Sequence, residues 1–223
     1  MPDLVVVLGA GPGLGQVIGQ VFSERGAQVI LIARDERRLM QISGAVGAAA
    51  YVPVDVTDEP ALRMAFARIR EDNGDPTVLV HNPSIAFEAP ATETPLEALM
   101  AGFRLAAGSL LVAAQEVVPA MRAAGSGAIL VTGNGAALTG STWSAGLAAQ
   151  KAAARNLALS LAAELTPAGI RVATITINGI LGKPGFEPRR IAETYAALVS
   201  APMTTDWQPE VHWPQRSVTN RPH

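Results

Sequence analysis

Residues 4–25 read LVVVLGAGPGLGQVIGQVFSER, an apolar run that passes through a cluster of glycines into a segment of helical period. Leu4 to Leu8 is apolar throughout and rich in valine, the pattern of a strand buried on both faces. From Leu14 the apolar residues recur at Val17, Ile18, Val21 and Phe22, which is one face of a helix, and Gly26 follows as a stop. Gly9, Gly11, Gly13 and Gly15 therefore lie where a strand hands over to a helix. Glycine permits a tight turn and close backbone approach, and the unpaired N–H groups at a helix start attract a diphosphate. The spacing predicts a dinucleotide site over Gly9 to Gly15, with Leu14 in the same turn. No Gly-Lys-Ser/Thr triplet follows, which disfavours a P-loop.

Working outward, short apolar runs recur at 28–33, 50–54, 77–81, 128–132 and 171–177, and segments of helical period lie between them at 36–46, 59–71, 95–124 and 143–166. Asn73-Gly74-Asp75-Pro76 and Pro167-Ala168-Gly169 supply the stops. Strand and helix alternate along the chain, so the prediction is an α/β fold: one doubly wound, Rossmann-type parallel sheet of about seven strands with helices on both faces. A single domain over 1–223 is expected, in which 182–223 contributes a helix and loop covering the substrate, then an edge strand and tail.

The second strand ends in Ala33-Arg34-Asp35. An acidic residue at the strand end binds a ribose 2′-hydroxyl and repels a 2′-phosphate, whereas Arg34 favours the phosphate and hence NADP. NAD stays possible, because Arg34 also begins the charged run RDERR, a pattern of solvated surface.

Composition narrows the function classes. A net charge of −2 with 16% charged residues leaves no electrostatic footprint for nucleic acid or an anionic membrane. The chain has no cysteine and only three histidines, which are scattered, so thiolate zinc sites and disulfides are excluded and no metal cluster is expected. There is no basic leader, and no uninterrupted apolar run approaches ~18 residues. A cytoplasmic protein acting on a small molecule is the expectation.

With these motifs in place, the sequence resembles the short-chain dehydrogenase/reductase family over essentially its whole length. GAGPGLG is similar to that family's glycine loop, VDVTD (54–58) to its adenine-contacting Asp-Val, and HNPS (81–84) to its Asn-Asn-Ala-Gly segment. The resemblance implies that Asp55 bonds the adenine amino group, that Val56 packs on the ring and that Asn82 lines the ribose side. Asp55 could equally cap the helix that follows. It further implies that Gly179, just past the sixth strand, borders the cofactor. GAILVTGNGAALTG (127–140) is similar to the family's serine-bearing strand, and LAAQKAAARNL to its Tyr-xxx-Lys helix, which puts Lys151 on the lysine position.

Three other positions depart from the family. Leu147 stands where it has the tyrosine, Asn134 where it has the serine, and Ala106 near its helix asparagine. The tail, from Arg189-Arg190-Ile191-Ala192-Glu193-Thr194-Tyr195 through Trp207 to Trp213, resembles an atypical branch of the family that also lacks the tyrosine. A leucine cannot protonate a carbonyl oxygen, while Asn134 can donate a hydrogen bond to a developing oxyanion. Lys151 can hold the nicotinamide ribose or, if desolvated, serve as the acid. Two readings follow: an NADP-dependent oxidoreductase moving hydride between the cofactor and a small carbonyl or alcohol through Lys151 and Asn134, or a catalytically inactive dinucleotide-binding sensor or partner subunit. The two long helices carry many small residues, and the family pairs them across a two-fold axis, so a homodimer or homotetramer is expected.

Overall fold

A computed structural model describes residues 4–202 and 207–214. The described strands are β1 (Leu4–Leu8), β2 (Gln28–Ala33), β3 (Ala50–Pro53), β4 (Val78–His81), β5 (Gly127–Asn134), β6 (Ile170–Ile177) and β7 (Glu210–Trp213). They form one sheet in the order β3-β2-β1-β4-β5-β6-β7, and all six pairings are parallel.

The helices are α1 (Leu14–Glu24), α2 (Glu36–Val46), α3 (Glu59–Asn73), α4 (Leu96–Phe103), α5 (Ser109–Ala124), α6 (Ala145–Leu165) and α7 (Pro188–Ser200). Alternation along the strands divides the core into two layers. Leu4, Val6 and Leu8 pack with Phe66, Leu110, Val117 and Leu161 beneath α3, α5 and α6. Val5 and Val7 pack with Ile18, Phe22, Leu39 and Tyr195 beneath α1, α2 and α7. Such a strand is apolar at every position because both of its faces are covered.

Local chemistry sets the boundaries. Asp35 caps α2 by accepting from Arg38 N at 3.0 Å, and Asp58 caps α3 by accepting from Ala61 N at 3.0 Å. Gly47 and Gly125 end α2 and α5 in the left-handed conformation.

The helix anticipated from Pro95 to Ala124 is α4 and α5 joined by a π-bulge at Arg104–Gly108. The widened turn suits a stretch of small residues, and the Ser109 hydroxyl donates to Leu105 O at 2.5 Å, pairing a carbonyl within the bulge. By length and composition this 96–124 run could cross a membrane. In the fold, α5 packs on α3, and α4 with the bulge packs on α6.

From Gly182 the chain runs through a short connection into α7. This helix packs on α1, with Arg189 bonded to Glu24 at 2.6 Å and Arg25 paired with Glu193. The expected edge strand is β7, parallel to β6, while 203–206 and 215–223 lie outside the described residues.

Candidate functional site

Strand order reverses between β1 and β4, and the chain leaves their carboxyl ends through the glycine turn and the 82–89 loop. In open parallel sheets the crevice at this point is where ligands bind. Two adjoining cavities occupy it. One, of about 410 Å³, is lined by Gly9, Gly11, Arg34, Arg38, Val56 and Asn82 among others. The other, of about 380 Å³, is lined by Gly13, Leu14, Gly15, Asn134, Lys151 and Gly179 among others. Gly11, Pro12, Asn82 and Ser84 line both, making one continuous cleft.

The glycines have distinct reasons for being glycine. Gly9 has φ +75°, and a Cβ there would stand 2.7 Å from Pro83 N. A Cβ on Gly15 would stand 2.6 Å from Gly9 O. Gly11 differs: a Cβ meets nothing within 4 Å and would project into open space on the cleft side. No side chain caps α1, so its first N–H groups lie beside this space. A bare helix start, open ground above Gly11 and a long two-part cleft fit a dinucleotide diphosphate.

At the first cavity's far end, Arg34 and Arg38 both contribute to the lining. Arg38 lies four residues after Arg34 in the same charged run, where no motif in the sequence singles it out. Val54 and Val56 form the apolar wall. Asp55 stands beside this cavity, not in its lining. Its Oδ1 accepts from Thr57 N at 2.9 Å and from Thr57 Oγ1 at 2.8 Å, and its Oδ2 is 3.9 Å from Arg34. These hydrogen bonds, chiefly that from the Thr57 backbone, hold its carboxyl below the usual range. The cap of α3 is Asp58, so Asp55 does not serve that purpose.

Asn82 fastens the cleft floor. Its Nδ2 donates to Gly9 O at 2.9 Å and its Oδ1 accepts from Thr132 Oγ1 at 2.8 Å. With its one proton so used, Thr132 Oγ1 accepts from the Tyr195 hydroxyl at 2.8 Å. Tyr195 is fully buried, and burial raises its phenol above the ordinary range. It ties α7 to the cleft floor and is no proton donor to a substrate. Sequence reading missed Thr132 and this link because the partners lie 50 and 63 residues apart.

Lys151, on α6, is 5% exposed. Its Nζ donates to Thr132 O at 2.8 Å and to Pro83 O at 3.3 Å, leaving one proton for a ligand. Burial lowers its pKa to about 8. Asn134 Oδ1 accepts from Ala136 N at 2.8 Å, which leaves its Nδ2 as the donor available in the cleft. Leu147 lies one turn before Lys151 on α6 and is half-buried, and Ala106 is fully buried within the π-bulge. Beneath this half of the cleft, His81 Nε2 pairs with Ser109 Oγ at 2.8 Å. Burial, helped by the charge of Lys151, holds the His81 imidazole down to about 3, so it is neutral.

A profile of the short chain dehydrogenases matches residues 3–184. The cis-4-hydroxycyclohexanecarboxylate dehydrogenase of Sinomonas cyclohexanicum is 30% identical over 206 residues, covering 90% of this chain and 79% of that enzyme. The L-tagatose-forming galactitol 2-dehydrogenase of Cereibacter sphaeroides is 32% identical over 170 residues, covering 74% of this chain and 66% of that enzyme. Among solved structures, a metagenomic short-chain oxidoreductase in complex with NADP superposes with a TM-score of 0.85 at 24% identity, covering 94% of this chain and 96% of the other. The chain belongs to the short-chain dehydrogenase family of nicotinamide-dependent oxidoreductases.

Proposed function

We propose that the protein is an NADP-linked oxidoreductase that interconverts a carbonyl compound and its alcohol, in a branch of the family whose usual tyrosine is absent. The observation that carries this reading is Lys151: a buried ammonium that opens, beside the Asn134 amide, into the same cleft as the glycine turn. Among the described residues it is the one titratable side chain lining that half of the cleft.

When bound, a reduced nicotinamide supplies the hydride that adds to the carbonyl carbon. Gly11, Gly13, Leu14 and Gly15 would hold the diphosphate through backbone and helix start. Arg34 and Arg38 would take the 2′-phosphate, and Val56 would pack on the adenine. Asn82 and Gly179 would line the nicotinamide ribose, leaving the free proton of Lys151 for the substrate. As the carbonyl π pair moves onto oxygen, Asn134 Nδ2 donates to that oxygen and stabilises its charge. The Lys151 ammonium, whose burial makes it a readier acid, delivers the proton that completes the O–H bond and is reprotonated from solvent. Leu147 supplies no proton and presents apolar surface instead.

The NADP assignment is tested by titrating NADPH and NADH against protein fluorescence. NADPH is expected to bind at least about tenfold more tightly, an advantage of about 1.4 kcal/mol that Arg34→Asp removes. Equal affinities in the parent would contradict the assignment.

A further inference from the structure

Large apolar side chains crowd the carboxyl edge of the sheet, where burial gives no reason for them. Ile85 and Phe87 follow β4, Leu138 and Trp143 follow β5, and Ile180 and Leu181 follow β6; all six are exposed, Ile180 at 69% and Trp143 at 61%. Because the strands are parallel, these three connections rise from the same edge as the cleft. Leu181 lines the half of the cleft that holds Lys151 and Asn134, which brings one end of these residues to the reacting centre.

The rim is also fixed in place. Gln150 grips the Ile85 backbone from both sides, with Nε2 donating to Ile85 O at 2.6 Å and Oε1 accepting from Ile85 N at 3.3 Å. Ser144 Oγ donates to Phe87 O at 2.9 Å. The β6–α7 connection is folded on itself: Gly182 N donates to Phe186 O at 2.9 Å and Trp213 Nε1 to Gly185 O at 2.9 Å. The backbone is therefore pinned while the side chains face outward. α7 is docked on α1, and the six side chains stay exposed. The nearby cleft lining holds neither arginine nor acid, and Lys151 has two of its three protons committed to carbonyls. An anionic substrate group would find no paired cation there.

We propose that the substrate is an uncharged carbonyl or alcohol compound with an extended apolar body, which lies along the rim formed by Ile85, Phe87, Leu138, Trp143, Ile180 and Leu181 while its reacting end enters between Asn134 and Lys151. This specifies the substrate class of the oxidoreductase reading and rests on it. Longer apolar bodies gain affinity from contact with the rim, at about fourfold per methylene until the rim is covered.

The test uses the full chain with NADP(H) and two series lengthened one methylene at a time: methyl ketones for turnover, and non-reacting primary alkanamides for binding by calorimetry. Both kcat/KM and amide affinity are expected to climb with length. A terminal carboxylate should cancel the gain, and Ile180→Asp with Phe87→Asp should flatten the slope. Length-dependent amide binding without any turnover would sink the oxidoreductase reading and leave the apolar site standing. Flat series, or preference for the carboxylates, would overturn the proposal. So would a slope that survives these substitutions while the sedimentation coefficient falls, because the rim would then be a contact between copies of this chain.

Discussion

Thr132 joins three parts of the cleft at once. Its hydroxyl donates to Asn82 and accepts from Tyr195, and its carbonyl accepts from Lys151. Thr132→Val keeps the volume and removes the hydroxyl, leaving Asn82 Oδ1 and the buried Tyr195 hydroxyl without this partner. Each such loss costs roughly 1–3 kcal/mol. The expected outcome is a clearly lower denaturant midpoint, together with weaker NADPH binding as Asn82 loses its grip on Gly9 O. A midpoint unchanged from the parent would contradict the network. Lys151 could be placed from sequence because it sits in a long helix at a recognisable spacing. Thr132 and Tyr195 could not, because hydrogen bonds between distant strands and helices leave no periodic trace.

At the scale of elements, the glycine turn separates folding from binding. Gly9 and Gly15 are confined by backbone neighbours at 2.7 and 2.6 Å, so side chains there force the turn to move. Gly11 has no such neighbour and no unusual φ. Gly11→Val should therefore leave stability within about 0.5 kcal/mol, as at a surface site. The same branched side chain occupies the ground above the helix start, and NADPH affinity should fall at least about tenfold. Calorimetry beside a thermal melt checks both halves. The sequence displayed this turn plainly, because strand period, glycines and helix period follow one another without a break. It did not display the π-bulge at Arg104–Gly108, whose residues are compatible with an ordinary helix.

For the whole molecule, strand order and the two core layers follow from six apolar runs and the helices between them. Ten residues, 178–187, link β6 to α7, and α7 finds its apolar partner on α1. Its Arg189 and Glu193 pairs lie at the surface, where such contacts contribute little, so Tyr195 and Ile191 in the core anchor it. On the opposite face, Leu96, Met100 and Leu111 of α4 and α5 are exposed on a run of which a third is buried. We propose that this face pairs with a second copy of the chain. Leu111→Glu should then shift the sedimentation coefficient to that of a 23.1 kDa monomer. A parent that already sediments as a monomer would refute the pairing.

Lys151 is proposed to serve in this cleft as the acid that the absent tyrosine would have been. NADPH absorbance, followed with an uncharged methyl ketone on either side of about pH 8, tests it most directly. A buried lysine with a lowered pKa is a charged acid below that value and loses its proton above it, so the rate should be level at lower pH and fall as pH rises through about 8. Lys151→Ala should abolish the reaction, while Leu147→Tyr, which adds a second acid, should carry activity beyond that pH. Oxidation by Lys151→Ala at the parent's rate, or a parent rate that does not change through that pH, would contradict the account.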